Sequence, residues 1–274
     1  MTILVTGASG NAGGAVVQAL ATACLPGRAL VRKPVALPGG IEPVYGDLNR
    51  PESFVDALPG VSGMFLLSGY DGVEELLDNA VRAGVRKVVL LSSSSLDSAD
   101  TSNAIAAYHQ AAEEAVKASG LEWTFLRPNS FMSNTLRWLD QLRAGDVVRV
   151  QFPEVAISTI HPLDIADVAV RAFTGDHAGA IHRLTGPVAL TPPQQVEILG
   201  SAIGRALTAY PMTRAETHDY LQATMPPQYA AAIESFFADG IIDETTVNDT
   251  VSQVTGHPPR SLPDWTRENA ALFA

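Results

Sequence analysis

Gly7, Gly10 and Gly13 recur at intervals of three inside VTGASGNAGG, between the apolar MTILV and the helix-forming AVVQALATACL. A turn from a strand into a helix N-terminus gathers unpaired backbone N–H groups and the positive end of the helix dipole, which together favour an anion. Glycine lets the backbone come close to that anion and take positive φ. The spacing G-x-x-G-x-x-G differs from the G-x-G-x-x-G of dehydrogenases. Its place between a strand and a helix at the start of the chain nevertheless points to a dinucleotide pyrophosphate, held by Gly7, Ala8, Ser9, Gly10, Asn11 and Ala12. The competing reading is a tight turn made for a close helix–strand crossing.

About 20 to 25 residues after such a turn, an NAD enzyme carries Asp or Glu for the ribose 2′-hydroxyl. This chain has Arg32 and Lys33 there. Two cations suit a 2′-phosphate, Arg by bidentate hydrogen bonds and Lys as a point charge, so NADP(H) is expected over NAD(H). The alternative is an ordinary basic loop in solvent. Further on, GDL follows the third expected strand, and Asp47, beside Leu48, either accepts from the adenine amino group or caps a helix starting near Pro51. Leu67–Ser68 and Ser92–Ser93 follow the fourth and fifth strands, at the carboxyl edge where open α/β sheets bind ligands. They also suit plain turns and caps.

The elements that must position these residues alternate. TILVT, RALVR, PVYG, MFLL, KVVLLSS and WTFLRP read as strands, with helices between them such as PESFVDAL, GVEELLDNAVRAG and NAIAAYHQAAEEAVKASG. Near-continuous apolar strands separated by helices indicate a Rossmann-type α/β fold, a doubly wound parallel sheet. After residue 130 the expectation is a helix from Phe131 to Ala144, a strand-like VVRV, then ISTIH leading into PLDIADVAVRAF, and AIHRLTG returning to the main sheet. From about Thr191 the pattern is mainly helical, interrupted by LTAYPM. The expected division is a cofactor domain over 1–155, its sheet completed by parts of 156–190, and a smaller substrate-covering region over 191–274 packed against it.

Composition narrows the partners. With 46% hydrophobic residues, and no apolar run near the ~18 residues of a membrane span, the chain reads as soluble and cytoplasmic, without a secretory leader. A net charge of −11 opposes nucleic acid and anionic lipid surfaces. The single cysteine, Cys24, reads as a small buried hydrophobe on the first helix. The six histidines show no metal-ligand spacing.

TGASGNAG, VRAGVRKVVLLSS, HQAAEEAVKASGLEWTFLRPNSF, HPLDIADVA, LTGPVALT and TVNDTVSQVTGHPPRSLPDW follow one another along almost the whole chain. In that order they resemble the NmrA-like branch of the atypical short-chain dehydrogenase/reductases, in particular its NADPH-dependent quinone oxidoreductase and triphenylmethane reductase types. The resemblance implies NADP(H), with a C-terminal region closing a cleft over the nicotinamide. Short-chain reductases generally use Tyr-x-x-x-Lys, but here Tyr108 is followed four residues on by Ala112. A phenol near pKa ~10 without that cation is a poor acid–base partner at neutral pH. The group's H-x-x-x-E instead matches His109 and Glu113, i,i+4 neighbours in which the carboxylate could orient or charge the imidazole. The resemblance puts His109 near the nicotinamide, positioning it or donating a proton, and lines the pocket with Asn129, Ser130 and Phe131. Without the resemblance, His109 and Glu113 read as a helix-surface pair. Phe131, Trp138 and Phe152 suit either an apolar wall for a flat substrate or plain core, and His161 with Asp164 reads as a structural corner.

The function expected is hydride transfer from NADPH to a quinone, enone or related conjugated small molecule, by a monomer or homodimer. The alternatives are a non-catalytic NADP(H)-binding redox sensor, and a tailoring reductase or isomerase of secondary metabolism.

Overall fold

The computed structural model describes residues 1–98 and 102–273. The first half builds β1 (Thr2–Val5), α1 (Asn11–Thr22), β2 (Gly27–Val31), β3 (Ile41–Tyr45), β4 (Val61–Leu67), α2 (Val73–Arg82), β5 (Lys87–Leu91), α3 (Ala104–Ala118) and β6 (Glu122–Pro128). The second half builds α4 (Leu139–Ala144), β7 (Val147–Val150), α5 (Pro162–Thr174), β8 (Ala180–Leu184), α6 (Pro192–Ile203) and β9 (Thr208–Pro211). Helices α7 (Arg214–Thr224), α8 (Pro227–Phe237), α9 (Thr250–Thr255) and α10 (Leu262–Glu268) complete it.

Seven parallel strands pair in the order β3-β2-β1-β4-β5-β6-β8, the doubly wound Rossmann arrangement expected from the alternation. The strand order reverses between β1 and β4, and there Leu67 N donates to the buried Thr6 Oγ1 at 3.0 Å, tying the two strand ends together. Apolar side chains alternate to both faces. Ile3, Val5, Phe65 and Val89 pack against α1 and α5, while Leu4, Met64, Leu66 and Leu90 pack against α2 and α3.

Past β6 the expected layout changes in three places. Residues 132–138 form a 3-10 helix that leads into α4, where a continuous helix was expected. The VVRV segment does form β7, but its partner is β9 in a separate two-stranded sheet, Val147 opposite Thr208. ISTIH is not a strand; Ile157 and Ile160 make only isolated bridges, to Leu190 and Phe131. β8 joins the main sheet beside β6 as expected.

A third apolar cluster holds this second half together: Trp138, Leu142, Val148, Val150, Leu199 and Trp265. Trp138 is 1% exposed, so of the two readings offered for it the core one holds. The helical region is hydrogen-bonded to the sheet domain. Asn103 caps α3 by accepting from Ile105 N and Ala106 N, and its amide donates to Ala232 O and Ser235 Oγ near α8.

Cys24 is exposed, not buried, because α1 ends before it. Its φ of 54° lets its N–H reach Ala21 O while Leu25 N reaches Leu20 O. This is a Schellman turn with cysteine at the usual glycine position. His161 is the N-cap of α5, its Nδ1 accepting from Leu163 N at 3.0 Å, and Asp164 is buried against Arg260, so this pair does form a structural corner. Asp164, Asp167 and His257 bring potential ligand atoms within 4.8 Å of one another. Arg260 donates to both carboxylates and so places a cation inside the cluster.

Candidate active site at the carboxyl edge of the sheet

The three glycines have separate physical reasons. Gly7 has a φ of +60°, and a Cβ there would stand 2.2 Å from Leu67 Cδ1. A Cβ on Gly13 would stand 2.2 Å from Gly7 O and 2.7 Å from Thr6 O, so the close approach of α1 to β1 requires its absence. At Gly10, φ is −95° and a Cβ would meet only Gly7 O, at 3.3 Å. Conformation does not demand glycine there, and the one close contact is slight beside those at Gly7 and Gly13. Gly10 is the exposed N-cap of α1, with no side-chain cap and no acidic residue in the first helical turn. Among the described residues, the N–H groups of Asn11 and Ala12 have no acceptor. An open, uncapped helix start with free amides and room beside Gly10 fits a pyrophosphate.

Arg32 and Lys33 follow β2 on the same edge; both are exposed and have no hydrogen bond or ion pair among the described residues. Asp47 does not cap the helix at Pro51. Its Oδ1 accepts from Asn49 N at 3.0 Å and closes a turn, while residues 51–57 form a 3-10 helix without a side-chain cap. Leu48 packs in the core against Leu30 and Phe54, leaving only its backbone for a ligand. Ala8 and Ala12 are likewise buried side chains.

Beyond the ends of β4, β5 and β6 lies a cavity of about 660 Å³, roofed by α7, α8 and the chain that follows them. Leu67, Ser68, Ser92, Ser93, Tyr108, His109, Asn129, Ser130, Phe131 and Phe152 all line it. The serines also hold the framework: Ser93 Oγ accepts from Ser95 N, and Ser92 Oγ donates to Glu113 Oε1 at 2.7 Å. Asn129 donates to Ser158 Oγ and Glu244 O, and the second partner, a carbonyl, establishes which amide atom is nitrogen. Its buried amide oxygen has no partner among the described residues.

Glu113 does not hydrogen-bond to His109. It is 2% exposed and grips Arg127 bidentately, at 2.9 and 2.7 Å, an arrangement that raises the arginine's pKa. His109 is oriented by Ser68. The Ser68 hydroxyl commits its one proton to Leu91 O at 2.7 Å, so its oxygen accepts from His109 Nδ1–H, also at 2.7 Å. Nε2 is therefore left bare. Burial pushes the imidazole pKa down to about 4, against a smaller upward pull from the Glu113 charge. At neutral pH His109 is an uncharged hydrogen-bond acceptor, poorly suited to donating a proton. Tyr108 packs its ring 4.3 Å from that of His109; burial first, and then the neighbouring Tyr229, raise its phenol pKa. Its hydroxyl, without a partner among the described residues, can give a hydrogen bond but not readily a proton.

Of the cavity residues that the sequence reading passed over, two have acidic or basic side chains. Glu244, in an acidic stretch that resembles a solvated loop, is 6% exposed and accepts from Ser94 Oγ, Ser130 N and Ser130 Oγ. Arg137 lines the cavity at the end of the 3-10 helix. A three-residue step, Phe131, Asn134, Arg137, is the signal that could have found it.

A family model described as NAD(P)H-binding matches residues 7–176. The (4-alkanoyl-5-oxo-2,5-dihydrofuran-3-yl)methyl phosphate reductase of Streptomyces griseus is 36% identical over 280 residues, covering 99% of each chain. An NAD(P)H azoreductase of Xenophilus azovorans is 32% identical over 284 residues, again covering 99% of each. The Escherichia coli NADPH-dependent quinone oxidoreductase QOR2, solved with NADPH, superimposes with a TM-score of 0.77 at 23% identity, over 98% of this chain and 99% of that one. Among the described residues, no helix is long and apolar enough to cross a membrane.

Proposed function

The chain belongs to the NAD(P)H-binding family and is an oxidoreductase, and we propose that it uses NADPH to reduce a conjugated small molecule, a quinone or an enone. In this reading the free amides of Asn11 and Ala12 hold the pyrophosphate, Arg32 and Lys33 hold the 2′-phosphate, and the Asp47 turn lies beside the adenine. The nicotinamide occupies the sheet-side end of the cavity, between Leu67, Ser68, Ser92, Asn129 and Phe131. His109 Nε2 accepts from a donor such as its carboxamide, so His109 positions the ring instead of supplying a proton. The bound cofactor supplies the hydride; the protein supplies a dry, oriented site.

The observation that carries the proposal is that the two titratable α3 side chains facing the cavity are poor proton donors: the phenol of Tyr108 holds its proton more tightly than a free phenol, and His109 is neutral with Nε2 bare. Simple ketones need a proton at the developing alkoxide. Conjugated acceptors delocalise that charge, so a Tyr108 hydrogen bond and a proton from water suffice. The Streptomyces griseus relative is named for a substrate with an unsaturated oxo-dihydrofuran ring, which supports the enone branch and with it a tailoring role in secondary metabolism.

The test is NADPH oxidation with a neutral naphthoquinone, a cyclic enone and a simple ketone. Turnover of the first two and not the third is expected. Tight NADPH binding with no turnover on any of them would overturn the enzymatic reading in favour of a sensor.

A further inference from the structure

Arg137 is a cation that the cofactor does not need. Phe131, Asn134 and Arg137 succeed one another at steps of three along the 3-10 segment, where residues three apart eclipse, and all three line the cavity. The Arg137 guanidinium has no hydrogen bond and no carboxylate within 4.0 Å among the described residues; it lies 5.6 Å from the Trp138 ring and within electrostatic reach of the Tyr220 phenol. The carboxylate that does line the cavity, Glu244, is occupied by Ser94 and Ser130. Arg137 is exposed where it borders the cavity, so its charge is open to a ligand that enters there. Two neutral amides on the cavity wall, Asn134 and the 5% exposed Gln151, also lack side-chain partners among the described residues.

An open guanidinium without a carboxylate partner on a cavity wall is matched by an anion brought by the ligand, which strips its remaining water as it enters. The planar fork matches a carboxylate or phosphate bidentately, and amide N–H groups can complete the shell. Around them Phe152, Leu221 and Phe237 are apolar, so the oxyanion would sit on an otherwise greasy body.

We propose that Arg137, assisted by Asn134 and Gln151, is the substrate-anion site of this cavity, selecting conjugated acceptors that carry a carboxylate or phosphate ester. The proposal rests on the reading of the cavity as the acceptor site, and names the acceptor's class.

The experiment uses one naphthoquinone with a short alkyl tail ending in a carboxylate, a phosphate monoester or a neutral methyl ester. Affinities for the NADP⁺-loaded protein are measured by calorimetry, and kcat and KM with NADPH in parallel, for wild type, Arg137→Met and Arg137→Lys. Wild type should bind the anionic probes roughly 10- to 100-fold more tightly than the ester, as charge-assisted bidentate pairs do. Arg137→Met should erase that preference with ester and NADPH affinities unchanged, and Arg137→Lys should restore part of it. The carboxylate and phosphate arms tell which oxyanion is preferred. Equal binding of acid and ester by wild type, or a preference that survives Arg137→Met, overturns the proposal. An anion preference without turnover of any probe keeps the anion site and removes the reductase reading instead.

Discussion

The proposed function gives Arg32 and His109 two different ways of acting on a nucleotide, one by its charge and one by the nitrogen it leaves bare. Arg32 is exposed and unpaired among the described residues, so removing it should cost the fold little and, in the role proposed for it, 2′-phosphate binding much. Arg32→Ala should weaken NADPH roughly 10- to 100-fold, equivalent to the ~1.5–3 kcal/mol of a hydrogen bond to a charged group, and leave NADH nearly unchanged. Calorimetry with both nucleotides checks this, and equal losses would remove the 2′-phosphate role. For His109, burial lowers the pKa to about 4, so it should stay neutral throughout the physiological range. In the unfolded chain it would titrate near 6.5. The unfolded state therefore binds the extra proton in between, and the stabilisation is complete above about pH 6.5 and fades as pH falls towards 4. An NMR titration should find the His109 ring protons moving with a midpoint near 4. A midpoint near 6.5 would mean that the imidazole is hydrated and that the Ser68 arrangement does not hold in solution.

At the scale of elements, the turn into α1 separates two duties that one motif combines. Gly13→Ala drives a methyl group into the carbonyls of Gly7 and Thr6, and overpacking of that kind costs about 1–3 kcal/mol. Gly10→Ala meets only Gly7 O at 3.3 Å and has an ordinary φ, so it should fold nearly as well as wild type while its methyl group occupies the space beside the free amides. The expected result is a split: a lowered melting temperature for Gly13→Ala, and a weakened NADPH affinity at nearly unchanged melting temperature for Gly10→Ala. Loss of stability in both with unchanged affinity in Gly10→Ala would reduce the motif to a packing device. This local logic was legible in the sequence, because strand, turn and helix are neighbours in the chain and the glycine spacing reports their contact. The 3-10 form of residues 132–138 was not legible, since the residues that suit a 3-10 turn also suit an α-helix. Arg137 went unnoticed for that reason: which face points at a cavity depends on the helix type.

At the scale of the molecule, partnership across long separations is what the pattern of residues conceals. VVRV reads as strand-like and LTAYPM as a break in helical sequence, but nothing in either announces that Val147 lies opposite Thr208. Glu244 shows the same limit more sharply. It sits in an acidic stretch, IIDETTVND, yet it returns to the sheet edge and joins three separate segments through Ser94, Ser130 and, by its backbone carbonyl, Asn129 and Ser158. Its buried carboxyl group is one of the ties, beside Asn103 to α8 and Asn248 to Thr185, that fasten the C-terminal region over the cavity. Burial raises the Glu244 pKa, outweighing the hydrogen bonds from Ser130 and Ser94 that lower it. A carboxyl group with a raised folded pKa binds its proton more tightly folded than unfolded, so its contribution to stability falls as pH climbs from the ordinary carboxyl range through the raised value. Glu244→Gln keeps the shape and every partner: the amide oxygen can accept from Ser94 and Ser130 N, and the amide nitrogen can donate to Ser130 Oγ. It should match or exceed wild-type stability at neutral pH and flatten the decline above pH 5. Glu244→Ala strands three buried donors and should lose about 2–3 kcal/mol, together with a raised KM for the acceptor as the roof loosens. Denaturant unfolding of the three proteins at pH 5 and pH 8 decides it. If Glu244→Gln is as damaged as Glu244→Ala, the ionised carboxylate itself holds the roof, and the fastening is electrostatic instead of a neutral hydrogen-bonded clasp.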